Sequence, residues 1–202
     1  DDSMLEILTG TGLAAAAGLN AYIPLLLMGI AGRIDWIQLP NGWLWLENEW
    51  VMVILGVLFI IEIVADKVPA VDSVNDWIQT AVRPASGGIV FAGGIGTSTV
   101  AVDDPGNFFS SGAWIPVVIG IVLALLMSLA KSAVRPVANI ATGGAAAPAL
   151  STAEDGASVV LVILAIVAPV LVLIALGLVI LCFVMLLRRM RRRRRERMSQ
   201  LA

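Results

Sequence analysis

From Ala157 to Leu187 the chain carries no charged side chain, and it then passes directly into Arg188-Arg-Met-Arg-Arg-Arg-Arg-Arg-Glu-Arg197. Such a run exceeds the roughly 20 apolar residues that a helix needs to cross about 30 Å of hydrocarbon. The arginines behind it mark a cytoplasmic flank, because basic residues beside a span are retained on that side. The same charges suit anionic lipid headgroups, and their position directly after a span argues against a nucleic-acid site.

The rest of the chain agrees with a lipid solvent. Hydrophobic residues make up 59% and charged residues 14% of 202 positions, with a mean hydropathy of +0.94, whereas charged residues alone approach about 25% in a soluble domain. Histidine is absent and Cys182 is the single cysteine. A disulfide framework, a His/Cys metal centre and haem ligation by histidine are therefore excluded within one chain. Any chemistry falls to carboxylates, lysine, arginine, hydroxyls, asparagine, Tyr22 and the backbone.

Six apolar segments predict an all-α, polytopic membrane protein: 5–31, 50–66, 85–101, 114–131, 137–152 and 157–187. They form a single transmembrane domain over 1–187, followed by the arginine-rich tail 188–202. The first segment lacks a basic leader and runs too long for a cleaved signal peptide, so it is expected to be a span. Two segments are glycine-rich, 85–101 and 137–152, and stand as thin spans, broken helices or re-entrant elements. Six crossings would place both termini in the cytoplasm with Lys67, Arg83, Lys131 and Arg135. Arg33 would lie outside, with Asp35, Glu154, Asp155 and most of the tryptophans. A weak internal duplication pairs Val53-Ile-Leu-Gly56 and Lys67 with Val117-Val-Ile-Gly120 and Lys131. Residues 72–83 read as a separate amphipathic helix at the inner interface, begun by Pro69.

Three constellations carry polar chemistry into this apolar frame. Glu62 and Asp66 share one helical face and are followed by Lys67, Asp72 and Asp76. An ionised carboxylate inside hydrocarbon costs several kcal/mol unless paired, protonated or hydrated, so Glu62 should face the bundle or a wet cavity. The pair could bind a divalent cation such as Ca²⁺, Mn²⁺ or Mg²⁺, relay protons, or serve as structural glue against Lys131 or Arg135. Gly18-Leu-Asn20-Ala-Tyr22-Ile-Pro24 puts a polar residue beside a helix-breaking proline in the first segment, a combination that makes either a mid-membrane binding site or a packing notch. Lys131, Arg135 and Asn139 recur every four residues as one helical stripe, suited to a phosphate or carboxylate or to anchoring at the inner surface.

These residues together resemble a family. Gly18-Leu-Asn20-Ala-Tyr-Ile-Pro, Glu62 with Ala-Asp-Lys-Val-Pro-Ala-Val-Asp-Ser, Val-Arg-Pro, and Thr-Gly-Gly followed by Ser-Thr-Ala-Glu-Asp are similar to bacterial membrane proteins grouped as domain of unknown function 4126. The resemblance covers roughly residues 9–180 and implies a polytopic fold in the bacterial cytoplasmic membrane, with no activity attached. The chain departs from the pattern at Ala147-Pro148, where an Asn-Pro is expected. The Glu62, Asp66, Lys67 spacing is loosely similar to a motif of small cation exchangers, one residue longer and without its glycine.

The expected function is a small transporter or flippase with a carboxylate-based cation or proton site. Its binding residues would come from Glu62, Asp66, Lys67, Asp72, Asp76, Arg83, Asn20, Tyr22, Lys131, Arg135 and Asn139. The alternatives are a membrane enzyme using Asp72, Asp76 and Arg83 with Mg²⁺ on a lipid headgroup, and a structural subunit. Substrate and oligomeric state stay open.

Overall fold

A computed structural model describes residues 2–66, 69–95, 110, 112–142 and 147–199. Every regular element among them is helical: α1 (Asp2–Leu19), α2 (Tyr22–Arg33), a 3-10 helix (Asn41–Glu47), α3 (Glu49–Ala65), α4 (Pro69–Gly94), α5 (Trp114–Thr142), α6 (Ala147–Val167) and α7 (Pro169–Ser199). Trp114–Val134 and Pro148–Val167 are each long and apolar enough to cross a membrane. Asn41–Glu47 and Glu49–Ala65, bent by 64°, make a third if read as one span. The chain is a helical membrane protein with two to three candidate spans, and the six-span expectation is not reproduced.

Contacts along the helices fix their directions. On α1, Thr9 bonds Ala165 of α6 and Ala16 bonds Ser158, so α1 and α6 run antiparallel. Gly10 lies against Gly94 of α4, while Ala21 meets Ser86, so α1 and α4 are also antiparallel. Met28 of α2 approaches Gly93, which makes α2 run with α4 and against α1. Residues 5–31 are therefore a helical hairpin with a buried hinge at Asn20–Ala21, and not a single crossing. Such irregular backbone is tolerated at membrane depth only where protein surrounds it, and α1, packed by α4, α5, α6 and α7, is the centre of the bundle.

Two other boundaries also fall elsewhere than the sequence indicates. The expected interfacial helix 72–83 and segment 85–101 are joined through Pro84 in one helix, Pro69–Gly94. Residues 137–142 continue α5 and 147–152 begin α6, while 143–146, with Gly143 and Gly144, lie outside the described residues. The last run, 157–187, is interrupted at Ala168 before Pro169. Proline supplies no N–H to Ala165 O four residues back, and the Thr9 hydroxyl donates to that carbonyl at 2.9 Å instead.

Close packing of α4 on α5 rests on small residues. A Cβ on Gly87 would strike Ala124 and the Gly120 carbonyl, and one on Gly120 would strike the Gly87 carbonyl. Without a hydrophobic drive between helices in lipid, this backbone approach is what holds such pairs. Gly56, the counterpart of Gly120 in the expected duplication, has nothing within 4 Å of a Cβ, so the two positions do not share an environment. The outward faces of α3 and α7 carry exposed Ile54, Ile60, Val64, Leu173, Ile174 and Leu178, as lipid contact requires.

The bundle has two chemically distinct ends. Trp36, Trp45, Trp50 and Trp114 are exposed at the end where α2 stops and α3 and α5 start, the placement of an interfacial aromatic belt. There α2 closes through Asp35 at φ 58°, with Trp36 N–H to Ala31 O at 2.8 Å and Asp35 N–H to Gly32 O at 3.0 Å, a Schellman ending. Asn48 then caps α3 by accepting from Trp50 N–H at 2.9 Å. Because α7 meets Gly12 through Val172 and runs toward a cavity it shares with Leu150 through Cys182, its arginine end lies opposite the start of α1. The two ends of the described chain thus sit at opposite ends of the bundle.

Candidate functional site

The hinge between α1 and α2 gathers most of the buried polar groups. Asn20 Oδ1 accepts from the backbone N–H of Tyr22 at 2.9 Å and of Ile23 at 3.1 Å, capping the first turn of α2 as an asparagine does. In a continuous helix those N–H groups would serve Gly18 O and Leu19 O, and Pro24 offers none to Asn20 O. Side chains of three other helices bond carbonyls of the hinge and of the last turn of α1. Lys131 Nζ of α5 donates to Leu19 O at 2.9 Å, Ser86 Oγ of α4 to Ala21 O at 2.6 Å, and Ser158 Oγ of α6 to Ala16 O at 3.0 Å.

Charged residues surround this hinge on both sides. Lys131 Nζ pairs with Glu154 Oε2 of α6 at 2.8 Å, and Asn20 Nδ2 donates to the neighbouring Asp155 Oδ1 at 2.9 Å. On the α3 side, Arg83 Nη2 stands 3.6 Å from Glu62 Oε1. Asp66 accepts from Ser151 Oγ at 2.7 Å and Asn75 Nδ2 at 3.1 Å. The Tyr22 ring lies beside the Gln79 amide, within electrostatic range of Glu62 and Arg83. Glu62, Asp66, Arg83, Lys131 and Glu154 are all between 1% and 7% exposed.

Two features set the chemistry of the network. Glu62, Asp66, Glu154 and Asp155 are four carboxylates against the two cations Arg83 and Lys131 among the described side chains. In addition, Glu62 Oε2 and Gln79 Oε1, both buried acceptors, have no hydrogen-bond partner among the described residues. Buried acceptors without donors cost about 1–3 kcal/mol each, so a proton on Glu62 or a small cation beside it relieves the site. Among the described residues no group of three or more His, Cys, Asp and Glu could hold a metal ion.

The sequence-expected residues divide accordingly. Asn20, Tyr22, Glu62, Asp66, Arg83 and Lys131 come together. Lys67 lies outside the described residues, as do the side chains of Asp72, Asp76, Arg135 and Asn139. Lys131 bonds Glu154 and not Glu62, whose ion-pair partner is Arg83. Glu154 and Asp155, expected in an external loop, are instead buried and half-buried on α6 against Lys131 and Asn20. Ser86 and Ser158 join the site without a sequence expectation; their signal is a hydroxyl group on an otherwise apolar helix face.

Two cavities flank the hinge. One of about 270 Å³, lined by Glu6, Thr9, Leu13, Met28, Gln38 and Gly94 among others, lies toward the tryptophan end. The other, of about 130 Å³, lies toward the arginine end between Leu19, Leu150, Glu154, Ala157, Val179 and Cys182.

The family model described as a domain of unknown function (DUF4126) matches residues 7–189. The chain belongs to that family. The match spans the whole hinge network, with α2 to α6 entire and parts of α1 and α7, so the site is built within the family's shared domain. No curated protein and no solved structure matches the chain.

Proposed function

We propose that the chain is a small membrane transporter in which Glu62 takes up and releases a proton or monovalent cation at the α1–α2 hinge. The single observation that carries this reading is the buried Glu62 Oε2, which has no hydrogen-bond partner among the described residues. Ionisable groups held inside a membrane bundle mark ion or proton pathways, and a broken helix is where transporters place their sites. Arg83, 3.6 Å from Glu62, is the internal competitor for the carboxylate: it holds the ionised form and is released when the proton or cation binds. On this reading the cavities toward the two ends of α1 are outer parts of the path, as Glu62 lines neither.

The orientation belongs to the same proposal. Among the described residues Arg33 is the basic residue at the tryptophan end, while the arginine tail lies at the other; a cytoplasmic tail puts the start of α1 outside. This replaces the expectation that both termini are cytoplasmic, because the hairpin removes one crossing.

The enzyme alternative is less well supported, since Arg83 points into the bundle against Glu62 and not toward a headgroup. The test is flux in proteoliposomes containing the full chain and an entrapped pH dye, with an imposed proton or potassium gradient. Gradient-driven proton movement is expected with wild type and abolished in Glu62→Gln. Equal flux through both proteins, or none above empty vesicles, would reject the assignment.

A further inference from the structure

The second half of the network, around Lys131, bonds Glu154 and the Leu19 carbonyl and not Glu62, and has a chemistry of its own. The Leu19 carbonyl ends α1, where aligned peptide dipoles leave partial negative charge. Its helical donor, the Ile23 N–H, is committed to Asn20 Oδ1. Glu154 adds a full negative charge within 2.8 Å of Lys131 Nζ, and the Leu19 carbonyl stands at 2.9 Å. The Lys131 side chain is 2% exposed, so its ammonium meets these two oxygens out of reach of bulk water. A carbonyl at a broken-helix C-terminus together with a carboxylate is an oxygen donor set for a monovalent cation. An ammonium is close to a potassium ion in size and charge.

We propose that the α1 end of the hinge is a monovalent-cation site whose resident occupant is the Lys131 ammonium, tethered to α5. The geometry explains why a lysine, costly at this depth, is placed with its head at a helix C-terminus and on Glu154. It also predicts that shortening the side chain opens the oxygen cage to free ions of the same class: ammonium, methylammonium and potassium. The proposal does not depend on transport, because its readout is stability.

The experiment uses the full chain carrying Lys131→Ala, purified in detergent with N-methylglucamine as the only cation. Thermal unfolding is followed while ammonium, methylammonium or potassium chloride replaces N-methylglucamine chloride at constant ionic strength. The variant is expected to melt below wild type and to recover saturably, by about 3–6 °C at a tenfold excess of ion over its dissociation constant. Any response of the Glu62 carboxylate is common to wild type and variant, so the recovery is read as the excess of the variant over wild type, and Lys131→Ala combined with Glu154→Gln loses that excess. Absence of a saturable response to all three ions, or an equal response in wild type, overturns the proposal. If Lys131→Ala does not yield folded protein, Lys131→Ser is extracted in ammonium or in N-methylglucamine chloride. Recovery only with ammonium supports the cage, and failure in both, or equal recovery, overturns it.

Discussion

Removing Arg83 while leaving Glu62 in place should be among the most damaging single changes in the bundle. The two side chains are 2% and 3% exposed, with Arg83 Nη2 3.6 Å from Glu62 Oε1. At an effective dielectric near 20, two unit charges at that distance attract by about 5 kcal/mol before desolvation. Stranding one member of such a pair typically costs about 3–5 kcal/mol. Arg83→Met also leaves Lys131 as the one described cation facing Glu62, Asp66, Glu154 and Asp155. For a chain of this size the loss corresponds to a fall in melting midpoint of about 6–20 °C. Combining Arg83→Met with Glu62→Gln removes both charges, so the double variant should recover roughly 2–3 kcal/mol relative to the sum of the singles. Glu62→Gln with Lys131→Met, in contrast, should couple more weakly, because Lys131 bonds Leu19 O and Glu154. Thermal unfolding of all six proteins in one detergent measures both cycles. Strict additivity for Glu62 and Arg83, or stronger coupling of Glu62 to Lys131, would refute the pairing.

Other consequences are open to direct measurement. Asn20→Ala should destabilise the chain by about 2–4 kcal/mol, since it uncaps two N–H groups of α2 and leaves Asp155 without its amide donor; a melting point within 2 °C of wild type would contradict that role. Gly120→Val should cost at least about 1–3 kcal/mol by forcing α5 away from the Gly87 carbonyl, whereas Gly56→Val, on an open face, should fall within about 0.5 kcal/mol. Met4→Cys in a Cys182→Ser background should react with an impermeant maleimide from outside intact cells; protection there together with labelling from the cytoplasm would reverse the proposed orientation.

What the sequence disclosed and what it concealed follow from the range of the interactions involved. Asn20 beside Pro24 announced a broken helix, and Glu62 with Asp66 announced polar groups turned inward, because each signal lies within a few residues. The hairpin did not show: residues 5–31 have the length and apolarity of one span, and only the approach of Met28 to Gly93 and of Gly10 to Gly94 reveals that both arms end together. Glu154-Asp155 looked like a loop because adjacent carboxylates usually face water. They are taken inside by Lys131 and Asn20, partners that no local pattern connects to them. Pro84 looked like a boundary for the opposite reason. Proline ends most helices through its missing donor, but in a packed membrane bundle neighbouring side chains can serve the freed carbonyl.

The same reasoning accounts for the distribution of hydroxyl groups on the apolar helices. A helix crossing hydrocarbon cannot leave backbone oxygens to water, so each interruption must be served by a donor from another element. The interruption before Pro169 recruits Thr9 from α1 and the hinge recruits Lys131 for the Leu19 carbonyl, while Ser86 and Ser158 bond the Ala21 and Ala16 carbonyls beside it, the latter already accepting from Asn20 N–H. Each donor is distant in sequence from the carbonyl it serves, so the bonds that mend the backbone also fix α1 against α4, α5 and α6. Lys131 differs from the serines in bringing a charge, and that charge requires Glu154; the carboxylate then lies beside Asp155, which holds Asn20, the residue that opened the hinge. The polar network around Lys131 thus follows from one break in α1, and Glu62, ion-paired with Arg83, keeps one buried oxygen without a hydrogen-bond partner among the described residues.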